Sequence, residues 1–275
     1  MMLVATAPHQ PMALAFVGAA RGAIGFGDGR VYTTVAGGRP FRLSLRLPAA
    51  SDRPLLLAAG GGRLFAGVGA APLETSDDAG RSWQARARLP RGATHLGCAS
   101  AGRCIAVTVA PFLRAFETRD GGVTWRGVRL PDCTTANEDA FVQPLGTREA
   151  YLLCVGLRLP GSRQQKLLYH TDGQHPWRFV TGASERGLPT RGVVNALSFR
   201  GLEGYVGLFS GHLLRTGDGG RHFVPAGLTR PRRVEASAAQ ITRGARFVLL
   251  RNVATIRLLR STDGGRRWQV RATWR

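Results

Sequence analysis

The chain has 275 residues, 44% of them hydrophobic, with 37 glycines, 15 prolines and a formal net charge of +21. That length is ample for a hydrophobic core and needs no division into two domains if the chain is built from repeats. No run approaches the roughly 18 to 20 apolar residues of a membrane span. The charge is almost wholly arginine, with Lys166 the single lysine, and the arginines are spread along the chain, densest at Arg230, Arg232 and Arg233. Such a charge predicts non-specific adhesion to anionic surfaces. With neither a recognition helix nor an aromatic RNA-binding strand motif, no specific nucleic-acid partner is expected.

Residues 1–20 are mildly apolar but lack a basic start and are broken by Pro8 and Pro11, so they make a poor signal peptide. Export is expected if a leader precedes this numbering, and a cytoplasmic location otherwise. Strands are predicted at 12–18, 22–27 and 29–34, followed by a turn and a strand over 41–45. The turn is the first, degenerate copy of a repeated octapeptide. Its clearest form, residues 76–83, reads Ser76-Asp77-Asp78-Ala79-Gly80-Arg81-Ser82-Trp83, and it returns at 118–125 as Thr118-Arg119-Asp120-Gly121-Gly122-Val123-Thr124-Trp125. Looser copies occupy 216–223 and 261–268. The copy at 170–177 has Gln174 in place of the glycine, and the copy at 34–41 has Ala36 in place of the aspartate. Starts at 34, 76, 118, 170, 216 and 261 give the spacing of a repeat architecture.

Each position has a physical reason. The aspartates Asp78, Asp120, Asp172, Asp218 and Asp263 accept backbone amides and tie a tight turn, and the glycines beside them tolerate positive φ. The slot that opens the next strand holds Phe41, Trp83, Trp125, Trp177, Phe223 and Trp268. It is expected to plug the core beneath the turn. No catalytic or metal-binding role is expected of these aspartates.

The fifth repeat shows the plan most clearly, with strands at 193–199, 205–209, 212–215 and 223–226. Short strands with turn signals every eight to twelve residues make an all-β pattern. Six four-stranded blades follow, at about 1–47, 48–90, 91–131, 132–181, 182–228 and 229–275, which is a six-bladed β-propeller. A seven-bladed ring with an incomplete blade is the alternative. Closure is open between simple packing of blade six on blade one and a lost seventh blade. Leu47-Pro48, Leu89-Pro90, Leu130-Pro131 and Leu188-Pro189 mark junctions, where proline leaves an edge strand. The fourth blade is longest, with its surplus in 132–140 and 159–166.

The octapeptide resembles the Asp-box, or bacterial neuraminidase repeat, which implies a hairpin turn between the third and fourth strands of a propeller blade. Sialidases share that box. Their pattern demands an arginine triad, a Tyr nucleophile paired with a Glu, and an Asp acid. Here Tyr32, Tyr151, Tyr169 and Tyr205 all fall inside predicted second or third strands, and of the acids near the expected channel mouth, Asp52, Asp132, Glu138 and Asp139, none has a spacing that pairs it with a tyrosine. The chain looks more like the non-catalytic repeats of the photosystem II assembly and stability factor type, as in Gly204-Tyr205-Val206-Gly207 followed by 213–220.

That resemblance implies a rigid ring presenting loops to a partner. Junction loops carrying Arg53, Arg91, Arg191, Arg232 and Arg233 are candidates to converge on one mouth, where guanidinium forks suit carboxylate or phosphate. The alternative is that they are solvated loop residues. A binding or assembly module is the expected function, as a monomer without cofactor or metal, acting on a protein partner or an anionic glycan. A sialidase-like glycosidase is the second reading. Cys98 with Cys104, and Cys133 with Cys154, are candidate cross-strand disulfides in neighbouring blades, suited to an oxidising compartment. Four small buried hydrophobes are the alternative.

Overall fold

The computed structural model describes residues 11–48, 54–69, 71–109, 112–133, 139–159, 163–184, 187–209, 212–228, 235–252 and 254–274. Among these there is no helix, and so none long and apolar enough to cross a membrane. The strands form six antiparallel sheets of four, each in sequence order. Blade one is β1 (Pro11–Phe16), β2 (Gly22–Phe26), β3 (Arg30–Thr34) and β4 (Arg42–Arg46); blade two is β5 (Leu55–Gly60), β6 (Arg63–Val68), β7 (Pro72–Ser76) and β8 (Gln84–Arg88). Blade three is β9 (Ala93–Cys98), β10 (Cys104–Thr108), β11 (Arg114–Thr118) and β12 (Arg126–Val128); blade four is β13 (Asp139–Leu145), β14 (Glu149–Leu159), β15 (Arg163–Thr171) and β16 (Arg178–Gly182). Blade five is β17 (Val194–Arg200), β18 (Glu203–Leu208), β19 (Leu213–Thr216) and β20 (Val224–Pro225); blade six is β21 (Glu235–Thr242), β22 (Ala245–Arg251), β23 (Ile256–Ser261) and β24 (Gln269–Trp274).

First strands contact one another in ring order, including β1 with both β5 and β21. The ring is therefore a six-bladed β-propeller that closes by packing its last blade on its first. All four strands of blade six come from the C-terminal end, so among the described residues no strand is exchanged across the seam. Phe16 stacks on Phe247 there at 3.6 Å between centroids, and Gln240 Nε2 donates to the Phe16 carbonyl at 3.1 Å.

The core is divided into six clusters, and each straddles one pair of neighbouring blades. The aromatic slot is half-buried. Trp125, Phe223 and Trp268 lie beneath their own turns, 3.9, 3.7 and 3.5 Å from a Cβ placed on Gly122, Gly220 and Gly265, and each of the six aromatics packs on the core cluster shared with the preceding blade. Trp125 packs with Phe65, Leu73 and Leu89 of blade two, and Trp83 donates its indole N–H to Ser44 Oγ of blade one at 3.3 Å. Gly122 shows why the turn keeps glycine. Its φ is +95°, and a Cβ there would fall 2.5 Å from Leu73 of the neighbouring blade.

Within the turns the aspartate is the hub. Asp78 accepts the amides of Arg81 and Ser82 and the hydroxyls of Ser76 and Ser82. The amide and hydroxyl of Ser82 hold its carboxyl well below the usual carboxylate range, as Thr124 does for Asp120. Asp218 and Asp263 repeat the arrangement. In the fourth blade the anchoring hydroxyl is Thr171 and not His170, since Thr171 pairs with Ala150 where Thr118 pairs with Cys104. That turn is one residue shorter than a match starting at 170 implies, and His170 instead bonds Glu149 at 2.9 Å.

Lys166 lies fully buried on β15, with its ammonium donating to the carbonyls of Gln164, Pro189 and Thr190. Burial pushes its pKa from the usual 10.5 down to about 8. Below pH 8 both folded and unfolded chains carry the proton. From about 8 upward the unfolded chain binds more protons, so stability rises with pH. We expect a gain of about 1–2 kcal/mol between pH 8 and 10, measurable by denaturant titration. Lys166→Met should flatten that slope.

Candidate functional site

Arginine is the residue most often found holding neighbouring blades together, at positions that sequence reasoning missed. Arg63 at the start of β6 forms a bidentate pair with Asp77, at 2.6 and 2.7 Å, and donates to the Ala101 carbonyl of blade three at 3.1 Å. Arg103, just before β10, bonds Glu117 at 2.7 Å and caps the turn between β13 and β14, donating to the carbonyls of Leu145, Gly146, Arg148 and Glu149. Arg246 pairs with Glu203 across blades five and six. A signal existed: the position just ahead of or opening the second strand reads Arg21, Arg63, Arg103, Glu149 and Glu203 in successive blades.

Of the expected mouth arginines, Arg91 and Arg191 are exposed on the junctions ahead of β9 and β17, two blades apart. Arg191 lines a cleft with Pro189, Thr190, Leu214 and Phe223. Arg53, Arg232 and Arg233 lie outside the described residues, as do Asp52 and Glu138. Asp139 pairs with His95 Nε2 at 2.7 Å, linking the first strands of blades three and four, and the His95 ring rests on Phe141 at 4.2 Å.

A concave feature lies elsewhere, in a groove of about 810 Å³ between blades three and four. One wall is the chain leaving β12, Val128 to Asp132; the other is the turn carrying Arg148 together with the fourth octapeptide turn, His175 to Trp177. Trp177 donates its indole N–H to the Arg129 carbonyl at 3.0 Å, so the ring is fixed against the opposite wall. Ile105, Leu130, Pro131 and Pro176 continue the apolar surface.

Charge sits on the rim. Arg119 is 71% exposed and paired with Glu117 at 2.9 Å. Arg129 and Arg148 are exposed, and their guanidinium groups have no carboxylate partner among the described residues. His175 is held by Asp172 at 2.7 Å.

Both disulfides reinforce this sector. Cys98 and Cys104 are bonded across β9 and β10, next to Arg103. Cys133 is bonded to Cys154, but not as a cross-strand pair like the first. Cys133 lies in the junction after β12 and ties it to β14, with Tyr169 donating to the neighbouring Asp132 carbonyl at 3.1 Å.

The residue types of a sialidase site do gather once, in a cleft between blades five and six that holds Tyr205, Glu203, Arg215, Arg246 and Arg266 with Asp218 and Asp263. Tyr205 is only 1% exposed, however, and burial raises its pKa. Both aspartates are engaged inside their turns. Among the described residues no group of three or more His, Cys, Asp or Glu could hold a metal ion.

No protein-family model matches the chain, and neither does any curated protein. Solved structures do. YCF48 bound to a D1 peptide superposes with a TM-score of 0.58 at 15% identity, over 93% of this chain and 94% of that one. Nidogen from its complex with laminin gives 0.58 at 10% identity over 90% of each chain. The GH74 enzyme of Niastella koreensis gives 0.54 at 13% identity, over 96% of this chain but 46% of the enzyme. At these identities the likeness is one of fold: the chain is a six-bladed β-propeller similar in architecture to YCF48, nidogen and part of a GH74 enzyme alike.

Proposed function

We propose that the protein is a binding module that captures an extended, acidic segment of a protein partner in the groove between blades three and four. The observation that carries this is a groove lined by Trp177 and by two exposed arginines, Arg129 and Arg148, whose guanidinium groups have no carboxylate partner among the described residues. Arginine forks pair bidentately with carboxylates, and a fixed tryptophan gives a side chain between them an apolar seat. The groove has the volume of a ligand site. A propeller of the same fold has been captured with a peptide bound. The buried Tyr205 supports a structural role for its cleft over sialidase-type hydrolysis. Two disulfides in one sector suit a chain working outside the reducing cytoplasm.

The test is fluorescence anisotropy with a labelled acidic peptide containing one aromatic residue. The wild type should bind in a salt-dependent manner. The double variant Arg129→Glu, Arg148→Glu should lose about 100-fold in affinity, roughly tenfold for each charge-assisted contact. Equal affinity in the two proteins would contradict the proposal, as would displacement of the peptide by a sulfated glycan from some other face.

A further inference from the structure

The seam between blade six and blade one differs from the other interfaces in charge. Elsewhere an arginine reaching across an interface has a carboxylate partner: Arg63 has Asp77, Arg103 has Glu117 and Arg246 has Glu203. At the seam three arginines meet around Gly37. Arg271 donates to the carbonyls of Gly37 and Ala36, at 3.1 and 3.3 Å. Arg39 donates to the carbonyls of Val270, at 2.9 Å, and of Arg271. Arg260 lies close enough that its Nη1 would be 2.9 Å from a Cβ placed on Gly37.

No carboxylate among the described residues pairs with any of the three. Arg260 Nε is buried without a hydrogen-bond partner. Burial, followed by repulsion from Arg260 and Arg39, pushes the Arg271 guanidinium below its usual pKa. The turn at this seam is also the one whose aspartate is replaced, by the exposed Ala36. The position that supplies a negative charge in the other five turns is thus neutral, where three cations collect.

We infer that the seam binds a tetrahedral oxyanion, a phosphate or sulfate group, held by Arg39, Arg260 and Arg271 where the first turn lacks its carboxylate. The Nη1 donors of Arg39 and Arg271 and the whole Arg260 head group are uncommitted among the described residues. These donors come from three side chains on two blades. A carboxylate offers two coplanar oxygens, which a single guanidinium fork satisfies; a tetrahedral anion offers more oxygens in more directions. The site lies at a different interface from the groove and does not depend on it.

Isothermal titration calorimetry of the full chain, in chloride at matched ionic strength, tests this with three probes: inorganic phosphate, inorganic sulfate and a sulfated disaccharide. One saturable site is expected. Arg260→Gln breaks no hydrogen bond seen in the fold and should weaken binding by about tenfold. Ala36→Asp, which restores the carboxylate of the other turns, should abolish binding and raise the melting temperature. A disaccharide that binds more tightly than the free ions would identify a glycan as the carrier of the group, and equal affinities would identify the free anion. Absence of saturable binding by all three probes would overturn the inference, and so would unchanged binding in both variants.

Discussion

Replacing Arg103 with methionine is expected to destabilise the ring by about 3–5 kcal/mol, as breaking a buried ion pair does. In a chain of this size that is a fall of roughly 10 °C in melting temperature. The side chain is 8% exposed, and its Glu117 partner 15%. Methionine fills much of the space but leaves four carbonyls of the blade-four turn without their donor and Glu117 with the exposed Arg119 alone. Arg63→Met is the control. Its partner Asp77 is 63% exposed, so water replaces the pair and the loss should stay within about 1 kcal/mol. Equal melting points for the two variants would show that Arg103 is not a clamp.

Trp125→Ala should destabilise by about 3 kcal/mol, the low end for truncating a large aromatic, because the ring is half-buried and not enclosed. The loss falls on the interface between blades two and three, where the ring covers Phe65, Leu73 and Leu89. Its indole N–H has no hydrogen-bond partner among the described residues. Trp125→Phe should therefore be milder than Trp177→Phe, which also removes the bond to the Arg129 carbonyl. Chemical denaturation of the three variants checks the order.

The strands were legible because alternation and turn residues are local signals. In the fifth blade the predicted 193–199, 205–209 and 212–215 compare with Val194–Arg200, Glu203–Leu208 and Leu213–Thr216. What a side chain packs against is not local. The aromatic slot was readable as apolar, but not as a seal on the preceding blade. Arg103 and its acceptors are 42 to 46 residues apart, a separation at which composition says nothing about pairing. The fourth turn misled because a pattern of fixed spacing cannot show a one-residue shortening, which moves the anchor from His170 to Thr171. Ring closure depended on the stacking of Phe16 and Phe247, 231 positions apart, and no repeat count could have supplied it.

The groove is not legible for a related reason. Arg129, Arg148 and Trp177 belong to three separate segments, and no local pattern links them.

Hydrogen exchange of the whole chain with and without a bound acidic peptide tests the central claim most directly. Slowed exchange is predicted at residues 126–132, 146–149 and 171–177, the walls of the blade-three and blade-four groove. Protection confined to the junctions at Arg91 and Arg191, with those three segments unchanged, would contradict it.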